Sequence, residues 1–136
     1  MKKNEYEELL VKMFIIENLG EHLYKTLGSK CKDTNLKSIY QKLELNEKET
    51  RDCIEKELTS IDIPLPVFKA RCITNIARLF FKALSRKRLH KFLTRILSRR
   101  IYSNWHEKYC DRNADFWTQL LEHENLQHQM LTIPEQ

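Results

Sequence analysis

Apolar residues recur at every third or fourth position along most of this chain, the spacing that lines one face of an α-helix. In the first segment, about residues 5–27, the seam Met13, Glu17, Gly20, Tyr24 and Leu27 steps by four, three, four and three. Gly28 reads as the C-terminal cap of that helix. Asp33 or Thr34 can cap a second helix over about 34–58, with Leu36, Tyr40, Leu43, Glu47, Thr50 and Ile54 on one face. Pro64 and Pro66 then break the pattern, because proline removes a donor and disfavours helix just before it. From Val67 to Tyr109 the helical period returns. Some forty residues at about 1.5 Å each would overshoot the neighbouring helices, so a bend near Ser85 is expected, dividing an amphipathic helix over 67–84 from a core helix over 86–109. A last helix spans about 116–131. Short turns make helices one and two, and three and four, antiparallel neighbours.

The expected fold is therefore all-α. It is a single domain, 1–136, built as an antiparallel four-helix bundle with an additional amphipathic helix between core helices two and three. Composition agrees: 136 residues suit one core, and two Gly and three Pro are too few for the turns of a sandwich or barrel. No apolar run is long enough to span a bilayer, and the acidic N-terminal stretch is unlike a secretory signal. Cys31, Cys53, Cys72 and Cys110 have no metal-ligand spacing and read as free thiols of a cytoplasmic protein.

Three seams each carry a glutamate at their centre: Glu17 in helix one, Glu47 in helix two, and Glu124 in helix four between Leu120 and Gln127. A buried carboxylate costs several kcal/mol unless it is protonated, paired or bound to a metal. His128 follows Glu124 by four residues, so the two could approach one ion. His22, His90, His106 and His123 read as surface or boundary residues.

These residues resemble the ferritin-like superfamily, especially the rubrerythrin-type domain found with vacuolar iron transporter proteins and, more distantly, demethoxyubiquinone hydroxylase. The resemblance rests on Glu17 seven residues before Tyr24, on Glu47 with Thr50 where helix two carries Glu-x-x-His, and on Glu124 with Gln127 where helix four carries a second Glu-x-x-His. It implies a dimetal site. Yet Thr50 and Gln127 replace both histidines, and no Asp or Glu stands between Asp62 and Glu107, where the third helix would supply a ligand. Half of the six ligands the resemblance implies are missing.

Two arrangements remain open. A reduced site of Glu17, Glu47, Glu124 and His128 could hold iron or another divalent cation, or Arg95, Arg99 or Arg100 could replace the ion with salt bridges. The second is favoured, with no cofactor. The leading expectation is thus a degenerate, non-catalytic ferritin-like domain that acts through its surfaces. A divalent-metal or iron-binding protein is the alternative, and a di-iron oxidoreductase on a peroxide or quinone-like substrate ranks last.

Charge adds a second feature. Residues 63–106 hold 11 basic side chains and no acidic one, against 13 acidic in the first 62. Val67, Ile73, Ile76, Phe80, Phe81 and Leu84 are expected to form one apolar stripe. Lys69, Arg71, Arg78, Lys82, Arg86, Lys87 and Arg88 stay wet beside it, where they could meet an anionic membrane surface or an acidic protein. A homodimer is a further partner reading, a location in the cytoplasm peripheral to a membrane is consistent, and nucleic acid is disfavoured because no binding motif accompanies the charge.

Overall fold

The computed structural model describes residues 4–131, and among these the regular secondary structure is α-helix, with no strand. The helices are α1 (Glu5–Lys30), α2 (Thr34–Ser60), α3 (Val67–Ala83), α4 (Arg86–Leu97), α5 (Ile101–Tyr109) and α6 (Ala114–Leu131). The expected single domain divides after Ser85 into two compact units. No described helix is long and apolar enough to cross a membrane.

In the first unit α1 and α2 form an antiparallel hairpin. Their register is visible in three places: Gly28 faces Tyr40, Gly20 faces Glu47, and Asn18 accepts a hydrogen bond from Arg51. Positions descend on one helix as they ascend on the other. Asn4 caps α1 by accepting from the Tyr6 amide, and Asp33 caps α2 by accepting from the Asn35 and Leu36 amides, satisfying donors that the first turn leaves free. The hairpin buries Leu10, Met13, Tyr24 and Leu27 of α1 together with Tyr40, Leu43, Ile54 and Leu58 of α2. At about 1.5–3 kcal/mol for each large apolar side chain, this is the main stabilising contribution to the unit.

Gly28 is not the cap expected for α1. The helix continues to Lys30 and closes with the Cys31 amide donating to the Gly28 carbonyl. Gly28 is instead a contact point, where the Tyr40 side chain approaches α1. The connection over residues 61–66 forms as expected, with Asp62 in the left-handed region at φ 60°. It leads α3 back along α1, in the same direction: Asn18 meets Thr74, and Lys30 Nζ donates to the carbonyls of Lys82 and Leu84. Those carbonyls lie at the α3 C-terminus, where a cation is favoured and no backbone partner exists.

The apolar stripe expected on α3 is corrected by its packing. Its buried face is Ala70, Thr74 and Phe81, with Ile73, Ala77 and Leu84 half-buried, whereas Val67, Ile76 and Phe80 are exposed. Small residues let α3 approach α1 closely enough for the Asn18–Thr74 hydrogen bond of 2.7 Å. Phe68, Ile76, Leu79 and Phe80 turn outward.

In the second unit the expected continuous helix over 86–109 is broken into α4 and α5. The Ser98–Arg99–Arg100 run has no apolar residue to bury, and Arg100 adopts a left-handed conformation, φ 46° and ψ 52°. For a non-glycine residue this costs roughly 1–2 kcal/mol. α6 packs on both α4 and α5. It starts two residues earlier than the pattern suggests, because Asn113 caps it by accepting from the Phe116 amide. Phe116, Trp117 and Leu120 fill the interior of this unit, and Trp117 stacks on Tyr109.

Candidate functional site

The seam glutamates are buried as their spacing implies, at 2% exposure for Glu17 and 4% for Glu47 and Glu124. Their surroundings differ. Glu17 on α1 and Glu47 on α2 meet across the hairpin, with carboxylate oxygens within 4.8 Å of one another. Gly20 provides the space: a Cβ at that position would lie 2.7 Å from the Glu47 Oε2 and 2.8 Å from its Cδ. The Glu47 carboxylate therefore rests directly on the α1 backbone. Two carboxylates this close, taken out of water, repel unless a shared proton, a cation or hydrogen-bond donors offset their charge.

Glu124 has a different occupation. From α6 its carboxylate accepts from the Tyr102 amide at 3.3 Å, from the Ser103 amide at 2.9 Å and from the Ser103 hydroxyl at 2.5 Å. These amides open α5, so Glu124 acts as a cap supplied from another helix, placing negative charge at the positive end of α5. His128, one turn further along α6, is hydrogen-bonded through Nε2 to the Leu97 carbonyl at 2.9 Å, at the end of α4. Glu124 and His128 thus hold the two sides of the α4–α5 break.

Thr50 and Gln127 are buried in α2 and α6. The arginine replacement does not form in the second unit. Arg95, Arg99 and Arg100 are all exposed, and Arg100 contacts Asn125 at 3.4 Å. At Glu124 two backbone amides and the Ser103 hydroxyl, all neutral donors, take the place the arginines were expected to fill, avoiding the desolvation of a buried guanidinium.

Two features escape the sequence reading. His123 is buried, not at the boundary, and lies against the Tyr102 ring with centroids 6.1 Å apart. The series Phe116, Leu120, His123, Gln127, another step of four, three and four, could have located it. The other is a polar chain across the first unit: Arg51 pairs with Glu21 and donates to Asn18 Oδ1 at 2.9 Å, while Asn18 donates to Thr74 Oγ1. Arg51, Asn18 and Thr74 line a cleft of about 420 Å³ walled by α1, α2 and α3, with Phe14, His22 and Arg71 also on its surface. His22 there is held below the ordinary histidine range, first by burial and then by Arg78, Lys25 and Arg51, with Glu21 opposing. Burial likewise pushes the Cys53 thiol up.

Lys69, Arg71, Arg78, Lys82, Lys87 and Arg88 are exposed, and Arg86 is half-buried. The chain matches no protein-family model, no curated protein and no solved structure.

Proposed function

We infer that this chain is a ferritin-like, rubrerythrin-type helical domain with a degenerate dimetal site, acting by binding through its surfaces and not by catalysis. One observation carries this reading: of the four residues that the resemblance offers as ligands, Glu124 and His128 are engaged at helix ends. Glu17 and Glu47 approach one another from two long antiparallel helices. A di-iron centre draws on four carboxylates and two histidines. These donors do not fit it, since Thr50 and Gln127 replace the histidines and Glu124 serves α5.

The test is metal analysis of chain produced in iron-rich medium and purified without chelator, together with peroxide consumption. The expected result is little iron and no turnover. About two equivalents of iron per chain, the stoichiometry of a dimetal bundle, with peroxide turnover would overturn the reading.

A second reading is favoured by the Glu17–Glu47 approach and by the space Gly20 leaves for it. In that reading the pair binds a single divalent cation. Thermal unfolding with and without Mn²⁺, Fe²⁺ or Zn²⁺ separates the two, because a cation held only by the folded chain at 100 times its Kd adds about 2.7 kcal/mol. A shift that Glu47→Gln abolishes supports the cation site, and an unchanged midpoint removes it.

A further inference from the structure

We propose that the outer face of α3 docks in the plane of an anionic lipid surface. The proposal rests on the reading of the chain as a binding module and names its partner. Phe68 is 79% exposed, Ile76 71% and Leu79 70%, and Phe80 and Val67 are also open. At 100° per residue Phe68, Leu79, Cys72, Ile76 and Phe80 fall within one arc of about 120°, opposite the buried Ala70, Thr74 and Phe81. This helix therefore has two apolar faces. The inner one is spent on α1, and the outer one stands in water.

Charge selects the occupant. Arg71, Arg78 and Lys82 follow one another along a single edge of the outer arc, all exposed. Lys69, in the first turn of α3, lies within the arc between Ile76 and Phe80, where its flexible stem can carry the ammonium toward a headgroup. No carboxylate occurs anywhere from residue 63 to 106 to oppose an anionic surface. A helix of 17 residues, about 25 Å long with four basic side chains, is too short and too charged to span a bilayer and suited to lying in its interface. In that position Phe68, Phe80, Ile76 and Leu79 enter the acyl boundary while the basic edge meets the phosphates.

A second copy of the chain is a poorer occupant. Pairing two such faces would bring two basic edges together with no acid between them. A nucleic-acid strand would use the edge but leave Ile76 and Leu79 in water, since phosphate contacts draw nothing from aliphatic surface.

The experiment is flotation of the full chain with large unilamellar vesicles of phosphatidylcholine alone or mixed with phosphatidylserine, at low and at high salt. Binding is expected to the phosphatidylserine vesicles at low salt and to fall at high salt. Substituting exposed residues leaves the fold intact, which circular dichroism confirms for each variant. Phe68→Ser/Ile76→Ser/Leu79→Ser should abolish flotation. Arg71→Gln/Arg78→Gln/Lys82→Gln should weaken it on the order of 100-fold, about fivefold for each basic residue at an anionic surface.

Absence of binding to anionic vesicles at low salt overturns the proposal. So does unchanged flotation of the triple serine variant. A concentration-dependent dimer that the same variant dissolves, without flotation of the parent, assigns the face to a second copy instead. The binding-module reading fails separately: iron loading with peroxide turnover removes it whatever the flotation shows, and a chain that neither floats nor turns over peroxide loses only the lipid.

Discussion

At Gly20 a single missing Cβ determines where a buried charge can sit. The Glu47 carboxyl occupies the volume a side chain would take, against α1 backbone that cannot move without disturbing the hairpin. Gly20→Ala gains up to about 1 kcal/mol of helix propensity, but forcing atoms into a filled interior costs roughly 1–3 kcal/mol. Because Glu47 is buried, its carboxyl has little room to retreat, and the variant is expected to lose about 1–2 kcal/mol net by urea denaturation. The background reverses the sign. In Glu47→Ala the obstacle is gone, and adding Gly20→Ala should stabilise that protein by up to about 1 kcal/mol. Equal effects in both backgrounds would mean that the contact does not govern the site. Reading the seam spacing places Glu17 and Glu47 inside but not side by side. Their meeting depends on the register of α1 on α2, set by the three-residue turn and by Tyr40 packing over Gly28, and neither is encoded in one helix's period.

Among the elements, the α4–α5 break shows what periodicity alone misses. Helical spacing continues through residues 98–100, so the pattern predicts one helix over 86–109. The chain turns there because α6 supplies both ends: Glu124 receives the opening amides of α5 and His128 bonds the last turn of α4. A contact between distant residues thus overrides the local pattern. Glu124→Ala should cost about 1–2 kcal/mol, near the upper range for removal of a helix cap. It should also raise amide exchange at Tyr102 and Ser103, while leaving any divalent-cation affinity of the chain unchanged. Loss of cation binding in this variant would return Glu124 to the ligand set. The caps at Asp33 and Asn113, by contrast, use residues whose own types announce the role. The outward turn of α3 was also hidden, because both of its faces are apolar and only the small residues Ala70, Thr74 and Ala77 distinguish the one that packs.

Across the whole molecule, the burial of a titratable side chain has a thermodynamic consequence that can be read at His22. The imidazole lies in the α1–α3 cleft, where burial and the fields of Arg78, Lys25 and Arg51 outweigh Glu21 and hold it below its ordinary value. As pH falls past about 6.5, the unfolded chain takes up this proton before the folded chain does. Stability therefore rises with pH in this window, because the unfolded state binds more protons. The contribution is intact above the unfolded value and is lost as acidification proceeds toward the lowered folded value. Urea midpoints measured between about pH 8 and pH 5.5, above the range where ordinary carboxylates titrate, should fall for the parent chain. In His22→Gln the histidine part of that slope should vanish, so the stability of the parent relative to the variant should fall on acidification from its value at pH 8. Parallel curves would show that the imidazole changes its protonation equally in both states, and that its burial in the cleft leaves no net effect on stability.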